Sequence, residues 1–359
     1  MLFDDHKDPK SYAKPQTASD FIGDVREAVG KSTSTLSFNK LRPKTLNEYV
    51  GQSEIKETLG HFINAYLKKG EIMNHALFAT GSGKGKTTLA HAVAHEIGTN
   101  VFVRKAPVDI RMLAELMTEM TDGDILLIDE IHLQAKGRHA SNAPEVLYDL
   151  MEDRTLTTEQ GKFKFPNITM IGCTTDEGLL TEAFLQRFLF RPHFEEYSVD
   201  ELSEIAKNSG KSLDIRINDA AAKIFASASQ GVPRQLNNFV QQGRVMMSSF
   251  DQNQINELVA FIVLRNLKIE KDGLKKLQVE YLQALWDRRR KDAKGNWVFK
   301  CSLRTIAHGV NRGGDPKFVE QTVEPELVRR GLVNIEPGGR ALSDKGMSRI
   351  NVKREDAGK

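Results

Sequence analysis

The sequence predicts an α/β protein. A parallel sheet covered on both faces by helices comes first, then a small all-helical domain, then short helices that end in a hairpin. Three observations predict this. Short apolar runs alternate with helical repeats through the first half, the pattern of strands joined by crossover helices. A glycine-rich segment, Thr80 to Thr88, lies between one such run and a helical repeat. From Val199 onward apolar residues keep helical spacing until a glycine pair, Gly338 and Gly339, near the end.

Each element follows from its own stretch. Residues 1–36 are polar and read as a flexible tail, in which Phe21, Ile22 and Val25 could form one short helix. The first domain is assigned to 37–198, with strands expected at 75–79, 101–105, 125–129, 168–174 and 190–194. Leu89, Val93 and Ile97 predict a helix after the first strand; Ile110, Leu113, Leu116, Met117 and Met120 predict one after the second. These Leu and Met stripes are core positions. A helical lid is assigned to 199–268, beginning at Leu202, Ile205 and Ala206 and ending with the apolar run 258–264. In 269–359, helices at 277–287, 303–310 and 318–329 precede a strand at 331–335. A Pro337-Gly338-Gly339-Arg340 turn follows, and together these suggest a winged helix-turn-helix.

Thr80-Gly81-Ser82-Gly83-Lys84-Gly85-Lys86-Thr87-Thr88 has the form of a phosphate-binding loop. Its glycines, Gly81, Gly83 and Gly85, let backbone N–H groups close around phosphate oxygens. Lys86 would reach the β- and γ-phosphates of ATP, the Thr87 hydroxyl would ligate Mg²⁺, and Thr88 continues into the helix whose N-terminus favours an anion. Ile125-Leu126-Leu127-Ile128 delivers Asp129 and Glu130 at a strand's carboxyl end, where ligands bind in open α/β sheets. Asp129 would hold the metal through water, and Glu130 would polarise the attacking water. The usual loop begins with glycine where this chain has Thr80. Thr80 is expected to stay extended and to leave the turn to Gly81, because a positive φ costs a non-glycine residue about 1–2 kcal/mol.

Composition narrows the class. The longest apolar run, 258–264, is too short to span a membrane. The two cysteines, Cys173 and Cys301, make no metal-like pair and point to a reducing compartment, the cytoplasm. The net charge of +3 hides an asymmetry: 269–359 carries +7 and 1–268 carries −4. A basic last domain suggests a polyanion partner.

Together these segments resemble the RuvB family of AAA+ ATPases, the motors of Holliday-junction branch migration. The likeness runs over 41–349. It is carried by Leu41-Arg42-Pro43-Lys44-Thr45-Leu46, Tyr49-Val50-Gly51-Gln52 and Leu127-Ile128-Asp129-Glu130-Ile131-His132, then by Met151-Glu152-Asp153 and Gly172-Cys173-Thr174-Thr175. Gly178-Leu179-Leu180-Thr181, Arg187-Phe188, Gly231-Val232-Pro233-Arg234 and Arg329-Arg330-Gly331-Leu332 complete it. The resemblance implies an adenine pocket at Tyr49 and Val50, a water-positioning sensor at Thr174 and a second sensor on the lid at Arg234. It also implies an arginine finger at Arg187 that reaches the neighbouring subunit. With these come a homo-oligomer, a hexamer by analogy, a double-stranded DNA or four-way-junction partner and a RuvA-like junction-binding protein. In the winged helix, Arg304, Arg312, Lys317, Arg340 and Lys345 become candidate DNA contacts.

Several positions depart from the family pattern. Only residues 154–167 separate Met151-Glu152-Asp153 from the next strand, so the hairpin that docks RuvA in the family is shorter here. Asp176-Glu177 stands where the family usually has Arg-Ala, and the wing tip keeps one arginine, Arg340, instead of two. Two functions are therefore expected to compete: an ATP-driven motor on double-stranded DNA, and a nucleotide-gated DNA-binding scaffold or loader of other proteins.

Overall fold

The computed structural model describes residues 41–135, 143–158, 161–250, 252–291, 297–310 and 314–357. The expected tail 1–36, with its short helix, lies outside these residues. After α1 (Ser53–Lys69) and β1 (Ala76–Ala79) come α2 (Lys86–Ile97), β2 (Val101–Lys105), α3 (Ile110–Glu119) and β3 (Ile125–Asp129). Then follow α4 (Ala143–Glu152), the hairpin β4 (Thr155–Thr158) and β5 (Gly161–Lys164), β6 (Thr169–Thr174) and α5 (Glu182–Leu185).

The main sheet is parallel with order β1-β6-β3-β2. Its register sets Ala79 beside Thr174, and Lys105 beside Asp129, so the carboxyl ends share one edge. All six residues of β6 are buried. Leu126 and Ile128 pack on one side with Leu113, Leu116, Leu147 and Phe188. Ile125 and Leu127 pack on the other with Leu59, Leu89 and Val93. Alternate residues of one strand thus feed two cores, as a doubly covered sheet requires.

The expected strand at 190–194 is not formed as a strand. Phe190 and His193 make only isolated parallel bridges to Ala76 and Ala79. Pro192 lies between them and has no N–H to continue the ladder.

The helical lid comprises α6 (Val199–Ser212), α7 (Asp219–Ala228), α8 (Pro233–Ser249) and α9 (Glu257–Asn266). Ser198 and Glu201 close a reciprocal capping box on α6, and Pro233 opens α8, where a missing N–H costs nothing. The last part contains α10 (Lys276–Asp287), a small hairpin of β7 (Arg290–Lys291) and β8 (Trp297–Val298), β9 (Lys300–Cys301) and α11 (Leu303–Gly309). It ends with α12 (Pro316–Phe318), α13 (Glu324–Arg329), β10 (Val333–Glu336), β11 (Gly339–Leu342) and α14 (Asp344–Ala357).

The wing is a sheet of order β10-β11-β9, turning at Gly338 with φ 84°. The single helix expected at 318–329 is divided by a π-helical turn at Val319–Val323. Pro325 starts the next helix there and cannot donate to the preceding turn. The β7–β8 hairpin and α14 had no clear signal: two-residue strands are too short for a period, and α14 is mostly polar.

Candidate functional site

The glycine-rich loop leaves β1 and enters α2. Gly83 and Gly85 adopt left-handed φ of 81° and 97°, while Thr80 and Gly81 do not. Thr80 therefore stays out of the left-handed region, but the expectation for Gly81 is corrected: the turn is made at Gly83 and Gly85. Both also need to lack a side chain. A Cβ on Gly83 would come within 2.9 Å of Val232 Cγ1 and Arg234 Cβ, and one on Gly85 would overlap the Tyr49 hydroxyl. The lid thus rests directly on the loop.

Gly85 is the N-cap of α2 and offers no side-chain hydrogen bond. The first-turn N–H groups are left for an anion. Lys86 Nζ is buried and donates to the carbonyls of Thr80 at 2.5 Å and Gly81 at 3.1 Å. Burial lowers the pKa of its ammonium, opposed by the charges of Glu130 and Asp129. Such a cradle of free N–H groups and one convergent ammonium suits a polyphosphate. Thr87 and Asp129 add a hydroxyl and a carboxylate, hard oxygen donors of the kind Mg²⁺ prefers. Cys173 lies nearby, but burial pushes its thiol up to about 12, so it stays neutral.

Asp129 ends β3, and Glu130 follows it directly. Glu130 N–H donates to Asp129 Oδ1 at 3.1 Å, and Glu130 sits at φ 51°. A left-handed glutamate costs about 1–2 kcal/mol, strain of the sort that gathers at functional positions. Two neighbours fix its carboxylate. Thr175 Oγ1 donates to Glu130 Oε2 at 3.1 Å, and His132 Nδ1 lies 3.4 Å from the same oxygen. His132 Nδ1 is also 3.0 Å from Thr174 Oγ1, which accepts the Asp176 N–H at 3.0 Å. Thr174 is fully buried, with its hydroxyl held in this network. His132 and Thr175 carry no role in the sequence reading. Their signal was their adjacency to Glu130 and Thr174, which becomes a contact only when β3 and β6 pair.

Tyr49 is buried beneath the loop, and its hydroxyl accepts from Tyr197 at 3.0 Å. Burial raises both phenols above their ordinary range. Val50 beside it is half-buried. Arg234 Nη1 donates to Ser82 Oγ at 3.3 Å, and its N–H donates to Gly83 O at 3.2 Å. Lys84, also in the loop, forms a tight ion pair with Glu196.

Arg187 lies apart from this group. Its Nη2 is 2.9 Å from Glu152 Oε1, its Cζ is 3.9 Å from the Tyr148 ring centroid, and Nη1 donates to Ala183 O. Among the described residues none of these partners belongs to the nucleotide loop.

The winged helix divides its candidates. Arg304 and Lys317 are exposed, and among the described residues no carboxylate pairs with either. Lys345 Nζ donates to Arg330 O at 3.0 Å. Arg312 lies outside the described residues. Arg340 turns inward, with Nε 2.8 Å from Glu324 Oε2 and Nη2 2.8 Å from Glu320 Oε1. Glu324 is buried and also accepts from the Tyr281 hydroxyl at 2.6 Å. Two carboxylates thus pair with the Arg340 guanidinium.

Comparison with known proteins decides the family. The model of the RuvB Holliday junction DNA helicase P-loop domain matches residues 41–194, and that of the RuvB C-terminal winged helix domain matches 271–351. The chain belongs to the RuvB family. The Holliday junction branch migration complex subunit RuvB of Thermotoga maritima is 31% identical over 87% of this chain and 92% of its own length. The Salinibacter ruber subunit of the same name is 33% identical over 84% and 86%. The solved T. maritima RuvB branch migration motor superposes with a TM-score of 0.69 at 30% identity, covering 87% of this chain and 98% of that one. The RuvB fold, a P-loop domain with a parallel sheet, a helical lid and a C-terminal winged helix, is therefore the fold of this chain.

Proposed function

We propose that the protein is an ATP-driven oligomeric motor that moves four-way DNA junctions by translocating on double-stranded DNA. One observation carries this reading: Lys86, Asp129 and Glu130 converge beneath a free helix N-terminus in a member of the RuvB family. Lys86 would exchange its loop carbonyls for phosphate oxygens. Thr87 and Asp129 would hold magnesium, which when bound supplies charge neutralisation at the β- and γ-phosphates. Thr175 and His132 aim the Glu130 carboxylate, which would orient and polarise the attacking water. Tyr49 and Val50 would border the base, and Arg234 would report phosphate occupancy to the lid.

Among the described residues Arg187 has no nucleotide-loop partner, which supports action on the adjoining subunit's site. Activity would then require an assembly, a hexameric ring by family analogy. Arg304 and Lys317 would contact duplex phosphates. The β4–β5 hairpin is short, so a RuvA-like partner would dock on little surface. A reducing cytoplasm suits the two free cysteines.

A second reading, a nucleotide-gated DNA-binding scaffold or loader, is favoured by the inward pairing of Arg340. An ATP-dependent strand-separation assay on a synthetic four-way junction separates the two. The motor predicts strand movement by the wild type and none by Lys86→Ala. DNA-stimulated hydrolysis without movement, with or without a junction-binding partner, would select the loader.

A further inference from the structure

The β7–β8 hairpin takes no part in the nucleotide site. Its register pairs Arg290 with Val298 and Lys291 with Trp297. Trp297 is 53% exposed, an indole left in water beside a cluster of cations. Arg289 Cζ lies 5.1 Å from the Trp297 ring centroid and 5.2 Å from that of Trp286, and Lys291 Nζ lies 5.2 Å from Trp297. Trp286 is anchored against Phe299 at 5.0 Å, so it fixes Arg289 to the domain while Trp297 stays outside. Arg290 and Lys291 are exposed, and among the described residues no carboxylate pairs with Arg289, Arg290 or Lys291.

An accessible aromatic face beside cations that no described carboxylate pairs with has the chemistry of a nucleotide subsite. Every nucleobase has a π-face to stack, and cations resting on a ring can transfer to the phosphates of the same strand. In a duplex each base face is covered by its neighbours. Apart from the terminal pairs, only an unpaired base presents a free one.

We propose that Trp297, Arg289, Arg290 and Lys291 form a single-stranded DNA site, stacking an unpaired base on Trp297 and holding flanking phosphates on the cations. An acidic peptide would use the cations but has no need of the indole. Moving a junction breaks and remakes base pairs, so such bases exist at the substrate of the motor proposed above. The site deepens that reading, yet its binding requires no ATP turnover.

The test is fluorescence anisotropy of labelled oligothymidylate and of a labelled blunt duplex, with the full-length chain in the absence of nucleotide. Trp297→Ala is expected to weaken oligothymidylate binding roughly 5- to 160-fold, the range for losing one stacked base, while duplex affinity stays within about twofold. Trp297→Phe keeps a ring and should retain most of the affinity. Arg290→Gln with Lys291→Gln should lower both affinity and its salt dependence. Unchanged oligothymidylate binding in Trp297→Ala, equal losses for duplex, or equal losses in the Phe and Ala variants would overturn the proposal. So would equal competition by polyglutamate. Junction movement is measured separately, so a failed motor reading and a failed single-strand site give different results.

Discussion

Glu152 and Tyr148 hold the Arg187 guanidinium away from the nucleotide loop of its own chain, and this arrangement makes a residue-level prediction. Arg187→Ala should lower DNA-stimulated ATP turnover by about 10³-fold or more while leaving nucleotide affinity near wild type, because a finger acts on transition-state charge. Steady-state kinetics beside nucleotide titration checks it; a parallel loss of affinity would point to a structural role. Thr175 makes a second case. It donates to Glu130 at 3.1 Å, and a hydrogen bond to a charged group is worth about 1.5–3 kcal/mol. Thr175→Ala should therefore reduce kcat roughly 10- to 100-fold with little change in KM, whereas Thr175→Ser should keep most of the rate. Lys86, Thr87, Asp129 and Glu130 were legible in the sequence because one short segment supplies each pair. The Glu130–Thr175–His132 contacts were not, because they exist only once two strands lie side by side. Nor could the sequence show that Arg340 faces Glu324 rather than solvent, since its partner comes from another element.

At the scale of elements, Asp124 locks the start of β3. Its buried carboxylate accepts from Thr99 Oγ1 at 2.9 Å, Asn100 N–H at 3.1 Å and Asn100 Nδ2 at 3.2 Å, and from Thr121 N–H at 2.8 Å and Thr121 Oγ1 at 3.1 Å. Burial raises its pKa, but these donors, led by the Thr121 N–H, outweigh that and hold it below the ordinary aspartate value. A carboxyl depressed in the folded state contributes its full stability above the unfolded pKa, and loses it as pH falls through the folded one. Asp124→Asn should thus lower stability by about 2–3 kcal/mol at pH 7 in denaturant titration. The gap from wild type should narrow below about pH 4. A gap that is constant with pH would show that the charge is irrelevant. Four of the five expected strands are present, since buried runs such as 125–128 leave little choice. The fifth is reduced to two bridges around Pro192, where backbone chemistry overrides the apolar pattern of Phe190 and Phe194.

Across the whole molecule, one ion pair, Glu196 with Arg329, joins three parts. Glu196 pairs with Lys84 of the nucleotide loop and lies 3.3 Å from Arg329 Nη1 at the end of α13 in the winged helix. Arg329 Nη2 also donates to Gln230 O at 3.2 Å, next to the lid's α8. Occupancy of the loop would compete for Lys84 and so change the hold on Arg329. Arg329→Ala should reduce the stimulation of ATP turnover by duplex DNA, leaving turnover without DNA near wild type. The expected change is roughly 2- to 30-fold, matching coupling of about 0.5–2 kcal/mol. An unchanged stimulation ratio would remove Glu196 from the route between the sites.

The central claim is that ATP is cleaved at a seam to which one subunit brings Lys86 and Glu130 and its neighbour brings Arg187. ATP turnover on duplex DNA by mixed Lys86→Ala and Arg187→Ala subunits tests it directly. Each variant alone should be nearly inactive, and the mixture should recover a substantial part of wild-type turnover, because some seams then pair an intact loop with an intact finger. A mixture no more active than its two components would contradict it.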